Sequence, residues 1–201
     1  MLRRTASTIV LLILLVGMLI FPLNIQTVRS GFVLSETHDA NAMWIEPSTV
    51  QLNSIKHSIG YKFNVTLWLN LTTSCKGWQF KLLYDKNYLD ALRVGYTAGD
   101  KSEFFENITT MPVSPKFGAH NDTHDYVFYG EAWITGPARG LGYGSLAWVE
   151  FNVVAIPSEG EEEYSATLDI SANYPYQTFA LDENDNKIPL TTYDSLYIFT
   201  W

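Results

Sequence analysis

Two imidazoles and two carboxylates fall within six residues at His120-Asn121-Asp122-Thr123-His124-Asp125. Such groups ligate zinc, but a His-x3-His pair shares a face mainly on a helix, and this segment precedes a strand-like run. It reads as a polar loop, with no metal assigned. Asp182-Glu183-Asn184-Asp185-Asn186 alternates oxygen donors as the start of a calcium loop does. Counted from Asp182, the sixth position is Lys187 instead of Gly and the twelfth is Tyr193 instead of Glu, so the helix–loop–helix calcium pattern fails. A hairpin turn remains, with a calcium ion on Asp182, Asn184 and Asn186 as the alternative. No other cofactor is expected. Glycosidic hydrolysis needs two carboxylates across a cleft. Glu131 and Glu150 are the candidates, because each lies inside a strand-like run. No Ser-His-Asp motif, phosphate-binding glycine loop or nucleotide fingerprint accompanies them, and the expectation is a protein that is not an enzyme.

Aromatic side chains offer binding instead. In residues 126–134 one face carries Phe128, Gly130, Ala132 and Ile134, and the other carries Val127, Tyr129, Glu131 and Trp133. If the first set is buried, Tyr129, Glu131 and Trp133 form an exposed stripe suited to sugar stacking or a protein contact. In the opposite register Tyr129 and Trp133 are core and Glu131 needs a buried partner. Trp68 stands on the polar face of its own run and is either a contact residue or packed under a loop. Cys75, the single cysteine, excludes an internal disulfide and a multi-cysteine metal site, and reads as a small buried filler.

The chain that positions these residues has 201 of them, enough for one domain with a tail. Hydrophobic residues are 47% and charged residues 17%, so it can bury a core. Lys plus Arg is 13 against 21 Asp plus Glu, which argues against nucleic acid as a partner, since phosphates must be neutralised. Arg3 and Arg4 precede an apolar run over residues 9–21, a positive region and hydrophobic segment of signal-peptide size. Residues 1–30 are read either as a signal peptide removed after Ser30 or as an uncleaved N-terminal membrane anchor. Both place the remainder outside the cytoplasm, at the cell surface or beyond. Four Asn-x-Thr sequons, at Asn64, Asn70, Asn107 and Asn121, agree with export and are candidate glycosylation sites.

Residues 31–42 form an irregular polar linker, and residues 43–201 one all-β domain. Apolar residues there recur with period two. In residues 61–71, Phe63, Val65, Leu67, Leu69 and Leu71 point one way and Asn64, Thr66, Trp68 and Asn70 the other. Trp78, Phe80, Leu82 and Tyr84 repeat the pattern. About nine short strands separated by turn residues, with residues 136–144 as one turn, predict an antiparallel jelly-roll or Ig-like sandwich. Phe63, Val65, Leu67, Trp78, Phe80, Leu82 and Phe151 are its expected core.

Several segments, in order, resemble the cohesin-like domains of exported archaeal proteins. Met43-Trp44-Ile45-Glu46-Pro47-Ser48-Thr49-Val50 is similar to their opening strand, and Gly77-Trp78-Gln79-Phe80-Lys81-Leu82-Leu83-Tyr84-Asp85 to their central aromatic strand. Gly140 to Gly144 followed by Ser145-Leu146-Ala147-Trp148-Val149-Glu150-Phe151 is similar to their glycine-rich loop and small-apolar strand. Leu181-Asp182 through Ile188-Pro189, with Asp194-Ser195-Leu196, is similar to their final hairpin. The resemblance implies a jelly-roll relative of carbohydrate-binding modules that acts by binding a dockerin-like protein in adhesion or surface assembly. The alternatives are a carbohydrate-binding module for a polysaccharide, or a structural subunit of a surface layer or filament whose C-terminal strand, residues 196–201, adds to a neighbour's sheet.

Overall fold

A computed structural model describes residues 38–201 apart from 97, 98, 100, 107, 136–139, 159, 161 and 162. The N-terminal segment, the Asn107 sequon and part of the glycine-proline turn thus lie outside the described residues. The strands are β1 (Ala42–Glu46), β2 (Thr49–Asn53), β3 (Lys62–Cys75), β4 (Gly77–Asp85) and β5 (Leu89–Gly95), then β6 (Thr110–Ala119), β7 (His124–Trp133), β8 (Gly140–Val153) and β9 (Glu163–Ile170), then β10 (Phe179–Leu181), β11 (Lys187–Ile188), β12 (Thr191–Tyr193) and β13 (Ser195–Thr200). One 3-10 turn, Glu103–Phe105, lies between β5 and β6.

Two sheets face each other. One has the order β12-β1-β3-β8-β5. The other has the path β11-β10-β4-β9-β13-β2, and β7 and β6 extend it beyond β4. Period-two alternation sorts the side chains. On β3, Val65, Leu67, Leu69 and Leu71 are buried, while Asn64, Thr66, Trp68 and Asn70 face outward. On β4, Trp78, Phe80, Leu82 and Tyr84 join the same core. Phe151 stacks on Phe63 at 5.6 Å and meets Tyr84 edge-on at 5.2 Å, which couples the two sheets.

The sandwich differs from the expectation in several places. It is not purely antiparallel, because β12 runs parallel to β1 and β13 parallel to β2. Four strands exceed the expected set. β6 was hidden by Pro112 and Pro115, which an edge strand tolerates because one side of its ladder is free, and a register shift between Val113 and Lys116 accommodates them. Gly140 to Gly144 belong to β8 instead of a turn. A Cβ on Gly140 would stand 2.3 Å from the Phe104 ring, and one on Gly144 2.8 Å from the Phe104 backbone, so glycine lets the 3-10 turn lie against the strand. Residues 196–201 offer no free edge for a neighbour, since β13 is paired on both sides, with β9 and β2.

The exposed stripe on β7 is also corrected. Val127 and Tyr129 enter the core and Glu131 is 1% exposed, so the opposite register is the one adopted. Glu131 finds its partners. Its carboxylate accepts the Ser102 backbone N–H at 3.3 Å and the Ser102 and Thr110 hydroxyls. Glu103 makes the complementary tie, its Oε2 accepting the Ser145 hydroxyl at 2.7 Å and backbone N–H at 3.2 Å. Two carboxylates thereby hold the β5–β6 connection onto both sheets.

Two tests follow from this packing. Phe151→Ala is expected to lower stability by about 3–5 kcal/mol, measured by urea unfolding, since the cavity opens between the sheets. Burial raises the Glu131 carboxyl above its ordinary value, opposed by its three donors. The folded chain then holds that proton more tightly than the unfolded one, so this group's contribution falls as pH rises between the two values. Glu131→Gln should flatten that limb of the stability curve between pH 4 and 8. Glu131→Leu, which orphans three donors, should cost roughly 1–3 kcal/mol at any pH in that range.

Candidate functional site

Two outer faces remain for binding. The first covers the five-stranded sheet. Trp44 on β1 pairs across the ladder with Trp68 on β3, their rings 6.3 Å apart and nearly parallel. Tyr143 on β8 lies over both, 4.8 Å from Trp68 and 5.5 Å from Trp44. The His38 ring packs at a tilt against Trp44 at 4.3 Å and against Tyr193 of β12 at 4.8 Å. The result is an aromatic shelf crossing four strands, about 15 Å at ordinary strand spacing. Trp44 is buried and Trp68 half-buried, while Tyr143 is 54% exposed. Trp68 is thus both packed and part of a surface feature.

The same sheet becomes ionic toward β5. Arg93 donates to Glu150 at 2.7 Å, and Lys62 lies 3.7 Å from the same carboxylate. The Arg93 hydrogen bond holds Glu150 below the usual carboxylate range. Arg93 also lies over the Trp148 ring, whose own N–H donates to the Tyr96 carbonyl. Glu150 therefore faces out from one sheet and Glu131 inward from the other, and the two share no cleft.

The second face is the outside of β6, β7 and β4. Here Phe128, Gly130, Ala132 and Ile134 point away from the core. Register places Met111 beside Ala132 and Val113 beside Gly130. Met111 is 60% exposed, Ile134 52% and Val113 37%, an apolar patch at the open edge of the sheet. The bed beneath is flat because a Cβ on Gly130 would stand 2.7 Å from the Trp78 carbonyl oxygen. Trp133 is half-buried at the C-terminal end of β7 and by alternation belongs to the face opposite this patch.

Beyond the patch, the connection between β9 and β10 folds over β4. Ser171 N–H donates to the Lys81 carbonyl, and Lys81 N–H donates to the Thr178 hydroxyl. Tyr176 covers Phe128 at 4.6 Å. Lys81, outward by alternation, is buried beneath this connection, its ammonium 3.4 Å from the Asn173 carbonyl and 3.3 Å from His120 Nδ1. Burial lowers its pKa.

The other sequence candidates have local partners. His120 and His124 flank the β6–β7 turn, which Asn121 Oδ1 closes by accepting the Thr123 N–H at 2.9 Å, the Thr123 hydroxyl at 3.1 Å and the His124 N–H at 2.7 Å. Asp182 Oδ1 accepts the Asn184 and Asn186 N–H groups at 2.8 Å each, and Asp185 pairs with Lys76. These bonds hold Asp182 below its ordinary range and make the segment a hairpin turn. A calcium ion on Asp182, Asn184 and Asn186 would have to share that carboxylate with the turn. Among the described residues, no group of three or more His, Cys, Asp or Glu is placed to hold a metal. Burial pushes the Cys75 thiol up to about 12, and Cys75 Sγ donates to the Gly77 carbonyl. Sequence pattern missed the Met111–Val113–Ile134 patch and the Tyr143 contribution, since both depend on which strands become neighbours.

No protein-family model matches the sequence, and no curated protein matches it. Solved structures do. A non-cellulosomal cohesin from the archaeon Archaeoglobus fulgidus is 13% identical with a TM-score of 0.53, over 81% of this chain and 93% of that one. A type II cohesin module from the ScaA adaptor scaffoldin of Acetivibrio cellulolyticus is 13% identical with a TM-score of 0.55, over 79% and 90%. A chain of a type I cohesin–dockerin complex from Clostridium thermocellum is 11% identical with a TM-score of 0.53, over 83% and 97%. The strand arrangement built above, from residue 42 to residue 200, is a cohesin-like fold.

Proposed function

We propose that this chain is an extracellular, non-catalytic module that binds another protein through the outer face of β6 and β7. The observation that carries the reading is the Met111–Val113–Ile134 patch. Three large apolar side chains stand exposed at a sheet edge on a flat glycine bed, a surface that gains from being covered. Cohesins of similar fold were solved in complex with dockerins, which supports a dockerin-like protein as the partner class. Cell-surface adhesion or assembly is the setting in which such a module acts.

The test presents the full exported chain to the secreted proteins of its own cells, beside a panel of neutral polysaccharides. A defined protein partner should be retained. Met111→Asp combined with Ile134→Asp should weaken that partner's affinity at least ~30-fold, the ~2 kcal/mol of central anchors, with the melting temperature preserved. Unchanged affinity in the double variant, or retention by polysaccharide alone, overturns the assignment.

A further inference from the structure

We propose that Asn70 carries an N-linked glycan whose first sugars rest on the Trp68–Tyr143 shelf, making the five-stranded sheet a sugar-covered face. The proposal rests on the export reading above. It does not depend on the β6–β7 patch, which lies on the opposite sheet.

The geometry around Asn70 points to this occupant. Asn70 is the centre of Asn70-Leu71-Thr72 and faces outward on β3. It stands opposite Ala42 on one side and opposite Tyr143 on the other, with Trp68 two residues back on the same face. Asn70 is half-buried between Ala42, which is fully covered, and the Trp68 and Tyr143 rings on the other side. Among the described residues the Asn70 carboxamide has no hydrogen-bond partner, in contrast to Asn121, whose oxygen closes a turn. Asn41 Oδ1 accepts the Thr72 N–H at 3.0 Å and the Thr72 hydroxyl at 3.1 Å, fixing the strand past the sequon without engaging Asn70.

A pyranose presents an apolar C–H face that matches an aromatic ring, and it is neutral, so the acidic chain does not repel it. Tyr143 is 54% exposed, with its ring stacked on Trp68 and tilted against Trp44. Asn64 faces the same way but stands opposite Glu150, within the Arg93–Glu150–Lys62 group, and has no such shelf. Attachment joins Asn70 Nδ2 to C1 of a sugar carried on a lipid pyrophosphate. The pyrophosphate leaves with the electron pair of the C1–O bond, and the amide nitrogen releases one proton.

The experiment exports the full chain from cells that N-glycosylate Asn-x-Thr sites and measures occupancy at all four sequons by glycopeptide mass. It then compares melting temperatures of wild type, Asn70→Gln, Tyr143→Ser and the double variant. Asn70 should be occupied, and Asn70→Gln should lower the melting temperature by about 2–4 °C with Tyr143 present and by far less with Tyr143→Ser. Tyr143→Phe, which keeps the ring, should preserve the coupling, and Asn64→Gln should show none. An empty Asn70 beside other occupied sequons overturns the site, and independent, additive shifts overturn the stacking. Retention of the unglycosylated chain on a neutral polysaccharide, abolished by Tyr143→Ser, would assign the shelf to a foreign sugar instead. No occupancy at any sequon overturns the export reading and this proposal with it, whereas the β6–β7 partner test stands apart.

Discussion

The longest ladder pairs β3 with β8, from Lys62 opposite Asn152 to Cys75 opposite Gly140, with register shifts after Leu67 and Leu71. This ladder sets which side chains the rest of the molecule must cover. Because the side-chain period of a strand is two, a slip of one residue would expose Val65, Leu67 and Leu69 and bury Asn64, Thr66 and Asn70. Burying four or five large apolar side chains is worth several kcal/mol, which fixes the register firmly. The second sheet supplies the matching surface through Trp78, Phe80 and Leu82 of β4 and Tyr197 and Phe199 of β13. Phe63, stacked on both Phe151 and Tyr197, spans the joint.

Where connections cross the sandwich, buried polar groups take over from apolar packing. Glu131 and Glu103 each accept hydroxyl and amide donors from a different strand or turn, so the β5–β6 connection is held by geometry that hydrophobic contact could not specify. Lys81 is the counterpart on the outer side of β4. Its position under the β9–β10 connection keeps an ammonium away from water, and its lowered pKa records that cost. Charging a buried base opposes folding at neutral pH and is relieved only toward alkaline pH, so Lys81 marks a place where the fold tolerates a penalty to close that connection over Phe128.

The two outer faces that result are chemically unlike. One is closed by ring stacking and ion pairs and carries two sequon asparagines, Asn64 and Asn70. The other ends in an apolar edge where Met111, Val113 and Ile134 are exposed. A surface that buries apolar area gains on the second and meets charged groups on the first.

Alternation in β3, β4 and β8 depends only on local sequence, and from it the all-β class, the core residues and the outward position of Trp68, Asn64 and Asn70 were legible. Turn chemistry likewise located the Asp182 hairpin. The β7 stripe was not decidable from its own residues, since both of its faces contain aromatic or apolar side chains. Its register was settled by Ser102 and Thr110, which lie 29 and 21 residues away and satisfy Glu131. β6 was hidden because proline penalties depend on whether a strand has one neighbour or two. The Trp44–Trp68–Tyr143 shelf and the Met111–Val113–Ile134 patch each join residues from different strands. Periodicity states which way a side chain points, but only the order of strands in the sheet states what stands beside it.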